Sequence, residues 1–181
     1  TQPEKGFEQI KLQIEAIKPT VVFIGYGMAS SFDGGEAGLA KFKTDYGKLI
    51  DMIQGISGDK NVRFVLLSPI RHEKLPAPLP DPSAHNAQLA LYSTAIAKIA
   101  RERDFPFISL FDWQPEGRQP ITDNGIHLNE RGYKLLAENI EKNLGWKPTR
   151  LKEKTSEPLR HAIIAKNKLF FNRWRPQNET Y

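Results

Sequence analysis

The 181 residues predict an α/β domain in three layers, with helices on both faces of an open parallel sheet. Three observations carry this expectation. A short continuous apolar run at 21–24 lacks the alternation of a strand with one face in water, so it reads as a strand covered on both sides, and the apolar-rich stretches at 62–67 and 105–111 read as two further strands. The stretches between them repeat apolar residues every three to four positions, as amphipathic helices do. At 39% hydrophobic and 26% charged, the composition suits one domain with a real core and excludes a disordered or collagen-like chain.

Phe7, Ile10, Ile14 and Ile17 give the first helix, which stops at Lys18-Pro19 because proline disfavours helical backbone in the residue before it. The 21–24 strand follows, and Gly25, Gly27, Gly34 and Gly35 surround the turn after it. Leu39, Phe42, Tyr46, Leu49 and Ile53 form the next helical stripe; 55–61 reads as a turn, and the 62–67 strand ends at Ser68-Pro69. A loop from 69 to 82, stiffened by Pro76, Pro78 and Pro80, is long enough to wall a cleft. Leu89, Tyr92, Ile96 and Ile99 mark another helix. The third strand carries Pro106 at its start, where a strand tolerates proline, and a helix from about 129 to 144 completes the array.

Parallel strands joined through helices need right-handed crossovers, and ligands of such sheets bind beyond the carboxyl ends of the strands. The loops at 25–35 and 121–128 both fall on that edge. Three strands are few for such a domain, so the first is expected to have lost neighbours to an N-terminal truncation and to expose an apolar edge.

The formal charge of +5 is unevenly placed. Residues 145–181 hold nine Lys/Arg against three Glu, which is +6 and leaves −1 for 1–144, so the chain divides into a domain at 1–144 and a basic, partly helical extension at 145–181. Phe170, Phe171 and Trp174, beside Arg173 and Arg175, have near-helical spacing, which suits a buried apolar stripe better than a platform for bases; no nucleic-acid partner is expected. With no cysteine, disulfides and thiolate chemistry are excluded, while the compartment stays open. No run is long and apolar enough to span a membrane as a helix.

Between Ile121 and Tyr133 a histidine, His127, sits in a short acidic, Gly-containing loop just before a helix. Imidazole titrates near neutral pH and serves as a general base when a second group fixes its tautomer and stabilises the imidazolium. Asp123 and Asn124 lie four and three residues earlier, and local backbone geometry decides which one reaches the ring. A carboxylate would stabilise the cation, whereas an amide would orient the ring alone. The competing reading is a helix-entry loop, capped by Asp123 or Asn129, with His127 an ordinary surface histidine. His72 and Glu73 follow the second strand on the same edge, which makes both candidate linings of the substrate cleft, and His85 belongs near a helix start. No metal and no cofactor is expected: there is no H-E-x-x-H or acidic ligand cluster, no phosphate loop, and Gly25-Tyr-Gly27 is followed by Ser30 where a dinucleotide turn needs glycine.

The segment from Thr122 to Leu128, followed by Gly132-Tyr133 and a helix, resembles the last conserved block of the SGNH (GDSL-type) esterases and acylhydrolases. Val21 to Phe32 resembles their third block, a strand running into a G-x-N-[DE] turn. The blocks occur in family order, the resemblance covers roughly residues 6 to 144, and the tail at 166–181 is similar to that of a bacterial, planctomycete-like subgroup. It implies a flavodoxin-like three-layer fold that here lacks its first strands. It also implies a nucleophilic serine in a Gly-Asp-Ser block, which has no counterpart in this sequence and is expected on preceding polypeptide of the same protein.

His127 matches the family's histidine, but Asn124 stands where the family has its acid, and Asp123 falls one place early. The third block aligns on Gly27, Met28, Ala29 and Ser30, so Ala29 replaces the asparagine whose side chain donates to the oxyanion. Loss of one such donor typically costs about 10²–10³ in turnover; Ser30 or Ser31 is the candidate substitute. The resemblance thus implies a serine esterase or acylhydrolase cleaving an ester, by analogy a small acyl group on carbohydrate, in a periplasmic or secreted protein. The departures at 29 and 124 leave an alternative, a catalytically impaired relative that binds a glycan or a partner.

Overall fold

A computed structural model of the chain describes residues 3–57, 62–117, 119–147 and 153–174. It divides into two compact units, 1–145 and 146–181.

The first unit runs α1 (Pro3–Ile17), β1 (Val21–Ile24), α2 (Met28–Gly34), α3 (Leu39–Ser57), β2 (Arg63–Leu67), α4 (Ser83–Glu102), β3 (Phe107–Ile108) and α5 (Glu130–Asn143). The strands form one parallel sheet in the order β1-β2-β3, with Val21 beside Arg63 and Leu66 beside Phe107. β2 is central, and its side chains alternate between two cores. Phe64 and Leu66 pack with Phe42, Tyr46 and Ile50 of α3 and Tyr92 and Ile96 of α4, with Phe7, Ile10 and Ile14 of α1 against the same cluster. Val65, with Ile108 and Leu110, packs on the other face, where Leu136 and Ile140 of α5 join it. Burial on both faces is why β2 is apolar from Phe64 to Leu67.

β1 lies at the edge of the sheet, and Phe23, on the same side as Val65 in the register, is 43% exposed. The predicted turn at 25–35 contains the unforeseen helix α2. Gly27 opens it at φ +129, a conformation that excludes a side chain, and a Cβ there would also press Pro69 at 3.3 Å. α3 runs through Gly55 to Ser57, three residues into the expected 55–61 turn; residues 58–61 lie outside the described part.

The third strand is much shorter than the expected 105–111. Pairing begins with the Pro106 carbonyl accepting from Leu66 and ends at Ile108, whose carbonyl accepts from Ser68. Beyond that point the Leu110 and Phe111 amides donate to the Ser68 hydroxyl at 2.8 and 2.9 Å, which turns the chain off the ladder. A side chain just past the end of the neighbouring strand therefore ends β3.

The second unit contains α6 (Glu153–Trp174). Phe170 and Phe171, expected on a buried stripe, are exposed, as are Leu159, Ile163 and Leu169; the apolar residues spread around the helix instead of gathering on one face. The Trp174 side chain and Arg175 lie outside the described residues. No described helix is long and apolar enough to cross a membrane.

Candidate functional site

The loop carrying His127 is a tight hairpin. Thr122 and Leu128 form an antiparallel bridge, the Asp123 amide donates to the His127 carbonyl at 2.9 Å, and the Asn129 amide donates to the Ile121 carbonyl at 2.9 Å. Asn129 then caps α5, its side chain accepting from the Gly132 amide at 2.9 Å. Gly132 permits the close seat: a Cβ there would run into the Ile121 carbonyl.

Inside the hairpin, Asn124 reaches the ring. Its Oδ1 accepts from the His127 amide at 2.9 Å and from the Ile126 amide at 3.3 Å. The imidazole Nδ1 lies 2.9 Å from Asn124 Nδ2 and 3.1 Å from Oδ1. His127 and Asp123 are both exposed, and Asp123 joins the hairpin through its backbone. The amide presents both a donor and an acceptor to Nδ1, so it accommodates either neutral tautomer of the ring.

The residues after β2 hold this hairpin from behind. Glu73 accepts from the Ile121 amide at 3.1 Å, from the Thr122 amide at 2.9 Å and from the Thr122 hydroxyl, while its own amide donates to the Gly125 carbonyl at 2.8 Å. Gly125 takes φ +92, and a Cβ on it would overlap the His72 ring. His72, expected along the cleft, is only 8% exposed. Its backbone is pinned to α4 by Asn86, which accepts from the His72 amide and donates to its carbonyl, both at 2.9 Å.

From His72 a line of polar contacts crosses to α2. His72 Nδ1 lies 3.0 Å from His85 Nδ1, and His85 Nε2 lies 2.8 Å from the buried Ser31 hydroxyl, which donates to the Met28 carbonyl at 2.7 Å. Phe32 stacks on His85 with centroids 3.6 Å apart. With the Ser31 proton on Met28, His85 donates from Nε2 and accepts at Nδ1 from His72, so both nitrogens of the neutral His85 ring are hydrogen-bonded. Burial lowers both imidazole pKa values, and the neighbouring His72 lowers that of His85 further. The Gly27 bend and the His127 hairpin are thus joined by continuous packing through Ser31, His85, His72 and Gly125.

Of the residues singled out on the oxyanion turn, Gly27 is buried, Ala29 is exposed on α2 and Ser30 is half-buried. Sequence reasoning missed Ser31, His85 and Glu73 as a connected support. Their one linear signal is a His-Glu pair after a strand and a His-Asn pair at a helix start; the pairing itself is spatial. Among the described residues, no group of three or more His, Asp or Glu is arranged to hold a metal ion. A cavity of about 500 Å³ lined by Ile14, Lys18, Thr20 and Val62 lies at the amino ends of the strands, away from this edge.

The family model described as GDSL-like Lipase/Acylhydrolase matches residues 4–135. An isoamyl acetate-hydrolyzing esterase of Saccharomyces cerevisiae is 39% identical over 62 residues, 32% of this chain and 26% of that protein, so the match spans about a quarter of the relative's length. Among solved structures, a catalytic mutant of an acetylxylan esterase from Geobacillus stearothermophilus superposes with TM-score 0.56 at 15% identity, covering 81% of this chain and 70% of that one. A GDSL-like lipase from Bacteroides thetaiotaomicron gives 0.53 at 16% identity, covering 75% and 69%. At these identities the structural likeness is one of fold, an α/β sheet covered by helices. Because the sequence match runs through α1, all three strands and the His127 hairpin, this chain belongs to the GDSL-like lipase/acylhydrolase family, the SGNH hydrolases.

Proposed function

We propose that this chain carries the base of a serine esterase, with His127 accepting and returning the proton and the nucleophilic serine lying on polypeptide outside it. The observation that carries the reading is an exposed imidazole held at Nδ1 by Asn124 on the sheet edge where such folds bind ligands. No Gly-Asp-Ser run occurs in the sequence.

In this reading Nε2 takes the serine proton as the oxygen attacks the ester carbonyl, and then gives that proton to the departing alkoxide. Water, deprotonated by the same nitrogen, releases the acid from the acyl-enzyme. Asn124 orients the ring, and Asp123 joins the hairpin through its backbone. The bend at Gly27 brings backbone donors toward the oxyanion, with Ser30 the neighbouring hydroxyl and Ala29 contributing none. His72 backs the hairpin. A small acyl group on a carbohydrate is the substrate class favoured by the likeness to the acetylxylan esterase.

The complete protein should hydrolyse p-nitrophenyl acetate, and His127→Ala should lower kcat by about 10²–10⁴-fold. Equal rates in the two proteins would remove the base from the mechanism. The second reading, a glycan- or partner-binding relative, is favoured by the methyl group of Ala29 at the donor position. It predicts no turnover by either protein, with binding of an acetylated xylo-oligosaccharide intact by calorimetry.

A further inference from the structure

We infer that Glu73 is the positioning residue for the His127 hairpin, setting the reach of the imidazole without touching substrate; this rests on the reading of His127 as the base. The hairpin enters at Ile121 and turns at Gly125, and Glu73 grips it at both places. At the entry, Glu73 Oε2 lies 2.9 Å from the Thr122 amide and 3.2 Å from the Ile121 amide and accepts from the Thr122 hydroxyl, while Oε1 lies 3.1 Å from the Ile121 amide. At the turn, the Glu73 amide donates to the Gly125 carbonyl at 2.8 Å. Thr122 ties the two grips together, because its hydroxyl oxygen also accepts from the Gly125 amide at 3.0 Å.

These donors are out of water: Ile121 is 7% and Thr122 3% exposed. Without Glu73, two buried amides and a hydroxyl would lose their acceptor, and the loop would have to shift to rehydrate them. The shift would carry His127, since the Asp123 amide holds the His127 carbonyl one residue beyond the grip. On the other side the hairpin cannot retreat, because Gly125 already lies against the ring of His72, which Asn86 pins to α4. Glu73 therefore fixes one coordinate of the ring and His72 another. A base displaced by about 1 Å loses about a hundredfold in rate, so the grip acts on turnover more than on substrate binding.

The test compares the complete protein with Glu73→Ala, Glu73→Gln, Thr122→Val and His127→Ala, using p-nitrophenyl acetate kinetics and amide hydrogen exchange of residues 121–128. Glu73→Ala should lower kcat about a hundredfold at unchanged KM and speed exchange at Ile121 and Thr122. Glu73→Gln, whose amide oxygen can occupy the Oε2 position, should recover most of the loss; Thr122→Val should fall between them. Should Glu73→Ala not fold, Thr122→Val and Glu73→Gln carry the same comparison. Unchanged exchange in Glu73→Ala, or wild-type kcat where His127→Ala is inactive, overturns the positioning role alone. Failure of Glu73→Gln to recover also overturns it, since only a fold-wide need for the charge remains. Wild-type kcat in His127→Ala overturns the reading of the base, and the positioning role with it.

Discussion

At position 124 an amide stands beside the imidazole where the family's pattern has a carboxylate, and the two differ in chemistry. Asn124 Oδ1 can accept from Nδ1–H, leaving Nε2 free as a base, but Nδ2–H can equally donate to a bare Nδ1, which puts the proton on Nε2 and disables it. A carboxylate only accepts, so it selects the useful tautomer and also stabilises the imidazolium. Asn124→Asp is therefore expected to raise kcat about tenfold or more, read from ester hydrolysis by the complete protein. No gain would place the ring's orientation under the control of some other group. Asp123 cannot supply this service by proximity in sequence, since the hairpin spends its backbone on the His127 carbonyl and leaves its side chain exposed. His127 and its two candidate partners were legible from spacing alone; the choice of Asn124 came from the hairpin.

Among the strands and helices, departures from expectation have local causes with names. β3 stops where the Ser68 hydroxyl captures the Leu110 and Phe111 amides, and periodicity cannot report a side chain from another segment. Ser68 is buried and also donates to the Pro69 carbonyl at 3.2 Å. Ser68→Ala would leave two buried amides without an acceptor, and should cost about 1–3 kcal/mol in urea unfolding, with the loss of protection falling on Leu110 and Phe111 in hydrogen exchange. A stability within about 0.5 kcal/mol of wild type would mean that water replaces the hydroxyl. α2 was unreadable because the glycines at 25, 27, 34 and 35 signal a turn, whereas Gly27 in fact supplies the positive-φ residue from which the helix starts. The Asn129 cap, by contrast, was visible as an asparagine just ahead of a periodic run.

Across the first unit, acid should act through the imidazole pair of buried His72 and half-buried His85. His72 and His85 face each other nitrogen to nitrogen, so one shared proton satisfies them and a doubly protonated pair cannot keep the bond. Both folded-state pKa values lie below the unfolded value of about 6.5, so the unfolded chain binds more protons in that range. Stability is then full above about pH 6.5 and falls as pH drops through the lowered folded values. The urea midpoint should decline from about pH 7.5 to about pH 5, and His85→Gln should flatten that decline. An unchanged slope in the variant would mean that other groups carry the acid sensitivity. The same pair joins the α2 bend to the His127 hairpin, so acid is expected to loosen the candidate site along with the fold.

From composition and periodicity alone came the layered α/β class, the succession of strands and helices apart from α2, and the histidine in its loop. These follow from short-range rules: buried runs, helical stripes, proline and cap positions are encoded within a few residues of where they act. The spatial arrangement was needed to end β3 at Ser68, to choose Asn124 over Asp123, to bury His72 against His85, and to turn Glu73 onto the hairpin. In each case the deciding partner is a hydrogen-bonding group whose direction depends on a turn or on a segment distant in sequence, and no local pattern carries that direction.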